Sequence, residues 1–335
     1  MRHLILFIFI FTVIVLGFST CKKHPRQPNI IIFLADDMGY GDPQCYMPDS
    51  KIPTPNIDNI AKEKTEDPFF LYFASTAPHT PIVPAKKFHG KSNAGPYGDL
   101  VHQTDYSLGE IIKALERNDF IENTIIIFTS DNGSPARAGD LFVHGDDYHQ
   151  TGSVIKKYNH NPNSPWRGMK ADIFEGGHRV PFIISWPKRI QKNIQINESI
   201  CAIDIMASLA SILNYNLPNN AAEDSYDISD LILGEEVGID VGKEPLHEAI
   251  VHHSVDGSFA IKKGKWKMTP QPGSGGWASA PRGKDKVNTP GQLYDLDADP
   301  AETTNLWNSH QEVVEELKAI LEKYKSKGRS VSSSK

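Results

Sequence analysis

The chain has 335 residues, 39% of them hydrophobic, and 35 Lys+Arg against 41 Asp+Glu give a net charge of −6. That length accommodates one large domain, or a domain with a smaller companion. The acidic balance, with no basic stripe, argues against a nucleic-acid partner.

Met1-Arg2-His3 is a short basic start, and Leu4 to Phe18 is almost unbroken apolar sequence. This is the length of a signal h-region and short for a membrane span. Small residues before Cys21 predict residues 1–21 as a signal peptide of lipoprotein type, with lipid attachment at Cys21 as the membrane contact. Plain secretion and a retained anchor helix are the alternatives. The expected location is the bacterial cell envelope (periplasm or outer membrane) or the exterior. Without Cys21, only Cys45 and Cys201 remain, with no CxxC. Isolated cysteines of this kind are more often buried and unpaired than bridged.

Residues 22–28 form a polar linker. Asn29 to Ala35 (NIIIFLA) has the pattern of a strand buried on both faces. Pro55 to Glu63 reads as a short helix with Thr54 as N-cap. Phe69 to Ala74 reads as a second buried strand. Thr104 to Asn118 is an amphipathic helix with Leu108, Ile111, Ile112 and Leu115 on one face. Strands follow at Thr124 to Thr129 and Val180 to Trp186, then a helix at Ala202 to Leu213. Buried strands alternating with helices predict an α/β domain over 29–245, a largely parallel sheet sandwiched by helices. From about residue 246, short strand-like pieces (249–252, 259–262, 266–269, 292–296) precede a helix at Gln311 to Tyr324. These predict a small antiparallel sheet plus helix over 246–327. Residues 328–335 are expected to be a disordered tail, and Lys323 to Arg329 a solvated, frayed one.

Ligands of open parallel sheets bind beyond the carboxyl ends of the strands. Three of the predicted strands end in polar groups, Asp36-Asp37, Pro78-His79 and Asp131-Asn132. Three carboxylates and one amide oxygen brought together make an all-oxygen site suited to Ca²⁺ or Mg²⁺. An exported protein meets abundant Ca²⁺, which favours calcium. The competing reading takes Asp and Asn after strands as ordinary turn formers and N-caps.

Seven segments, in order, resemble the arylsulfatase branch of the sulfatase family, within the alkaline-phosphatase-like superfamily. They are NIIIFLADDMGYGD (29–42), IPTPNID (52–58), APHTP (77–81), IIIFTSDNG (125–133), RGMKADIFEGGHRVPFI (167–183), AIKKGKWKM (260–268) and LYDLDADPAETTNL (293–306). The resemblance implies an alkaline-phosphatase-like fold and hydrolysis of sulfuric esters, aryl or glycan. It implies Asp36, Asp37, Asp131 and Asn132 as divalent-metal ligands, Lys170 as the lysine gripping sulfate and His79 as the histidine handling the leaving-group oxygen. Cation and ammonium would neutralise charge building on the sulfate oxygens. An imidazole is suited to protonating a departing alkoxide. Gly176-Gly177 is expected where backbone passes close to the site. Arg167 and Arg179 carry no assigned role. Gly273 to Trp277 is either a sugar-facing loop with Trp277 as stacking platform or a plain Gly-rich surface loop.

The resemblance also implies a formylglycine nucleophile, made from Cys or Ser in a Cys/Ser-x-Pro/Ala-x-Arg motif between IPTPNID and the strand before APHTP. Here that interval collapses to Glu63-Lys64-Thr65-Glu66-Asp67. The stretches beginning at Cys21, Cys45, Ser134 and Ser279 each miss the pattern, and the family's Gly-Lys-x-His-x-Gly segment is missing too. The domain is therefore expected to be internally truncated near 63–68 and inactive as an esterase. The alternative function is a metal-dependent, non-catalytic binder of sulfated glycans. A related phosphoesterase needs a nucleophile in the same interval and gains little support.

Overall fold

The computed structural model describes residues 27–38, 42, 49, 51, 52, 67–135, 154–191, 193–234, 246–278 and 289–331. The signal segment, Cys21, Cys45, the expected helix at 55–63 and most of the 63–68 junction lie outside them. β1 (Asn29–Ala35) pairs in parallel with β2 (Phe70–Ala74) on one side and β3 (Thr124–Ser130) on the other. β4 (Phe182–Ser185) joins β3 antiparallel, giving the order β2-β1-β3-β4. The apolar runs of β1 and β3 are continuous because both of their faces are covered. α1 (Gly95–Arg117) packs Leu108, Ile112 and Leu115 against Ile31, Phe33, Ile126 and Phe128. On the opposite face, α2 (Asp204–Ile212) brings Leu209 to Ile30, Ile125, Ile127 and Trp186.

α1 begins at Gly95, well before the expected Thr104. Gly95-Pro96-Tyr97-Gly98 has the composition of a turn, but proline is tolerated in a first helical turn, where its missing N–H has no partner to lose. Burial of Tyr97, Leu100 and Val101 draws this turn into the helix.

β2 departs from its expectation of burial. All five residues are exposed, with Phe70 at 62% and Tyr72 at 53%. Among the described residues it is an edge strand, with β1 as its one neighbour. Phe73 stacks on Phe33 at 4.9 Å, whereas Phe70 and Tyr72 point to the other face. An uncharged apolar edge templates association. The double variant Phe70→Lys/Tyr72→Lys should therefore reduce self-association in light scattering. Its unfolding midpoint should barely change, because neither side chain is in the core. Unchanged scattering would show that this edge does not associate.

The C-terminal sheet is wholly antiparallel, β5 (Ile250–His253), β6 (Phe259–Lys263), β7 (Trp266–Thr269) and β8 (Gln292–Asp295) in that order. One face receives Val314, Leu317, Leu321 and Tyr324 of α3 (Gln311–Lys327). The other places Ala260, Tyr294 and Leu296 against Ile173 and Phe174. This second contact fastens the small sheet to the 167–183 segment of the larger domain. Lys323 to Lys327, expected to fray, form the last turns of α3, and Gly328 ends the helix at φ 65°. The expected tail is docked as far as Ser330, whose amide and hydroxyl both meet Asp224 Oδ1, at 2.6 and 2.8 Å. Cys201 is a free thiol, and burial pushes it up to about 12.

Candidate functional site

β1 and β3 run in parallel register, Ala35 opposite Ser130, so the residues after them emerge side by side. This places Asp36-Asp37 against Asp131-Asn132 at the carboxyl edge of the sheet. The loop after β2 arrives there too, because the Asp36 amide donates to Ala77 O at 3.2 Å. His79 follows two residues later.

Asp37 is the hub. It is 1% exposed and holds φ 67°, a left-handed conformation that asparagine and aspartate tolerate better than other side chains. Its amide donates to Asp131 Oδ1 at 3.1 Å. Its Oδ1 accepts from Asn132 Nδ2 at 2.7 Å and from the Lys170 ammonium. Among the described residues its Oδ2 is buried without a hydrogen-bond donor, the His79 Nε2 standing at 3.6 Å. His79 Nδ1 lies 2.7 Å from Thr80 O. A carbonyl only accepts, so Nδ1 carries the proton and Nε2 is the atom turned to the site. Asp131 Oδ1 also accepts the Asn132 amide at 2.8 Å, and the side chain stands exposed at the rim. Asp131, Asn132, Lys170 and His79 are thus gathered around the Asp37 carboxylate, with Asp36 next to it in the chain.

Burial, and then the charges of Asp131 and Asp37, push Asp36 above its ordinary carboxylate range, against the opposing pull of His79 and Lys170. One ligand atom from each of Asp36, Asp37 and His79 falls within 4.8 Å of the others. A buried carboxylate oxygen with no donor and a carboxyl raised by burial and by its acidic neighbours both suit a divalent cation. The oxygen-rich donor set suits a hard ion.

The supporting shell was only partly visible in the sequence. Met38 N–H donates to Ser130 Oγ at 3.1 Å, pinning the turn after β1 to the end of β3. Below it, buried Asp42 accepts from Tyr97 Oη and meets His160 Nε2 at 3.0 Å, while Tyr97 Oη also reaches Asp37 O at 3.4 Å. Asp42 closes the segment NIIIFLADDMGYGD, where nothing in the pattern distinguishes it from a turn residue. Gly133 donates to Gly177 O at 3.0 Å, and a Cβ on Gly133 would lie 1.9 Å from Gly176 O. A Cβ on Gly176 would lie 2.6 Å from Arg167 O. These glycines are required by close backbone approach. Arg167 braces the interior, its guanidinium over the Phe174 ring at 3.9 Å and bonded to Glu302 O. Arg179 lies over Trp166 at 4.0 Å.

One stretch outside the expected interval does satisfy the nucleophile spacing: Ser185-Trp186-Pro187-Lys188-Arg189. Its place in the fold rules it out. Ser185 pairs with Ile126 at the far end of β3, five residues before Asp131, roughly 16 Å along the strand. No serine or cysteine among the described residues combines that motif with the Asp37 site.

A sulfatase family profile matches residues 29–215. The chain is 37% identical over 265 residues to an N-acetylgalactosamine-6-O-sulfatase of Bacteroides thetaiotaomicron, covering 78% of this chain and 48% of that protein. It is 29% identical over 266 residues to human arylsulfatase A, covering 74% and 46%. A Bacteroides thetaiotaomicron sulfatase solved in a study of glycosaminoglycan metabolism superposes with a TM-score of 0.63 at 36% identity, over 78% of this chain and 51% of that one. A Pseudoalteromonas sp. sulfatase shares the fold at 17% identity, with a TM-score of 0.67 over 90% of each chain. The chain spans about half the length of the first two relatives.

Proposed function

The chain belongs to the sulfatase family, and on that premise we propose that its site binds a sulfated glycan through a divalent cation and Lys170, with little or no ester cleavage. The observation that carries this is the Asp37 carboxylate, shared by Lys170 and Asn132 and left with one orphaned oxygen facing His79. Asp36, Asp37 and Asn132, with Asp131 at the rim, would hold the ion. Calcium is favoured for an exported protein, and magnesium meets the same donors. When bound, the ion neutralises charge on the sulfate oxygens. Lys170, 22% exposed beside the buried Asp37, presents its ammonium to the same anion. Imidazole is a poor partner for a hard ion, so we assign His79 Nε2 to the ester oxygen instead.

Formylglycine does not fit this chain. Its motif is missing from the interval where the family carries it, and the pattern at Ser185 lies at the wrong end of the sheet. The exposure of β2 among the described residues supports the reading that a segment is lost next to it. Resequencing the codons for residues 63–68 tests this directly. An open frame restoring the motif would make the chain a mis-joined hydrolase rather than a binder.

For the substrate class we favour a 6-O-sulfated amino sugar over a simple aryl sulfate, because the relative at 37% identity is named for that activity. Export to the envelope, through a signal peptide and a lipid at Cys21, remains part of the proposal. Calorimetry should show heat on adding calcium, then calcium-dependent heat with 6-sulfated N-acetylgalactosamine. Aryl sulfate turnover should match that of the Lys170→Ala variant. Heat from neither ligand would sink the binding role, and turnover abolished by Lys170→Ala would sink the inactivity.

A further inference from the structure

Asp172 lies two residues beyond Lys170, and its side chain is fully buried. Its Oδ2 accepts the Met169 amide at 3.0 Å and its Oδ1 accepts the Ala278 amide at 2.8 Å. One carboxylate thus joins the loop that carries Lys170 to the C-terminal loop that carries Trp277. Backbone bonds flank the joint on both sides. Ile173 N–H donates to Ser274 O at 2.7 Å, and Val255 N–H donates to Ala171 O at 3.0 Å. The fit is close, since a Cβ on Gly276 would lie 2.3 Å from Ala171 O. Ala171 itself holds φ 78°, a conformation alanine keeps only where its surroundings impose it. The backbone on which the Lys170 side chain stands is therefore fixed from the C-terminal sheet. Trp277, on the same loop, is 57% exposed, a large aromatic surface a few residues from the joint.

We infer that Asp172 is a positioning residue for Lys170, and that the loop it holds makes Trp277 the wall recognising the sugar ring of the sulfated ligand. The inference rests on the proposed sulfated-glycan site for its ligand, but not for the joint itself. A carboxylate accepts both amides through separate oxygens, whereas an amide side chain of the same size offers only one acceptor. Asp172→Asn therefore releases one loop, and the bonds between the loops pass the change to the other. An aromatic face suits a sugar because it is apolar, rigid and costs little ordering entropy on binding.

The test uses the full chain. Hydrogen exchange in the ligand-free protein should rise about 10-fold or more in both 169–173 and 274–278 for Asp172→Asn, with 259–269 unchanged. Titration with calcium should differ from the unsubstituted chain by less than about 2-fold, because the Asp36 and Asp37 carboxylates are untouched. Titration with 6-sulfated N-acetylgalactosamine should weaken about 10-fold for Asp172→Asn and for Trp277→Ala, and the double variant should lose little more than either. Exchange rising in 169–173 alone, or losses that multiply in the double variant, would overturn the inference. If Asp172→Asn does not accumulate folded, Trp277→Ala decides, and undiminished sugar affinity rejects the recognition role. Coupled exchange in a protein that binds no sulfated sugar would keep the joint and discard the ligand reading.

Discussion

Asp37→Asn is expected to abolish calcium binding within the accessible range and to remove sulfated-sugar binding with it. The substitution keeps the shape of the side chain and can keep a contact to Asn132. It takes away the charge that faces Lys170 and the orphaned oxygen, and these are the features that define the site. Replacing even an outer-shell partner of a metal ligand costs about 10–100-fold in affinity, so losing a ligand charge should cost at least about 100-fold. Lys170 would then keep Asp36 nearby but lose its closest counter-ion, and its placement should loosen. Calorimetry with calcium, then with the sulfated sugar, reads both effects. Asp131→Asn supplies the contrast, with a smaller loss expected because Asp131 stands at the exposed rim and spends one oxygen on two backbone amides. Equal losses for the two variants would mean that Asp37 is not the hub.

The site was legible because its chemistry sits at strand ends. Continuous apolar runs mark strands buried in a parallel sheet, and polar residues directly after them must meet at one edge once β1 and β3 pair in register. Lys170 was reachable only through resemblance, since the loop that brings it to Asp37 has no periodicity to read. Asp172 and Asp42 escaped because a buried carboxylate and a turn aspartate look alike until their partners are in place. The apolar pattern of β2 was right about strand and wrong about burial. Composition reports what a segment could bury, whereas burial depends on what other parts of the chain supply to cover it. The spacing at Ser185 teaches the converse, a motif satisfied in sequence and separated from its site by the length of a strand.

The other large effect lies away from the ligand, in a buried ion network that holds the two sheets together. Lys267 on β7 is 2% exposed, and its ammonium meets Glu175 Oε1 at 3.0 Å and Glu302 Oε1 at 2.9 Å. The Glu175 amide donates to Glu302 Oε2 at 2.7 Å, next to the glycines beneath the Asp131 loop. Burial alone would raise Glu175, but Lys267 and Lys262 overcome it and hold that carboxyl far below its usual range. Burial raises Glu302, with Lys267 opposing and the Glu175 charge adding. The two directions differ because one ammonium is shared between two carboxylates and cannot satisfy both. Burial would lower Lys267, yet its two acidic partners hold it above the ordinary lysine value. Glu175, depressed on folding, therefore stabilises above the unfolded carboxylate pKa of about 4.3 and loses that contribution as pH falls. Lys267, raised on folding, stabilises below its unfolded value of about 10.4 and loses that contribution in strong base. Glu302 works in the opposite sense to Glu175, and acid relieves it. Lys267→Met should cost about 3–5 kcal/mol at pH 7, because it leaves two buried carboxylates facing each other without their cation. That corresponds to a fall of roughly 4–7 °C in unfolding midpoint for a chain of this length. The deficit should shrink below about pH 5, where the freed carboxylates take up protons. Adding Glu175→Gln and Glu302→Gln to Lys267→Met should recover much of the loss at pH 7, since the uncompensated charge is then gone. Urea unfolding at pH 7 and at about pH 4 measures all of this, and a pH-independent deficit would place the damage in lost packing rather than in stranded charge.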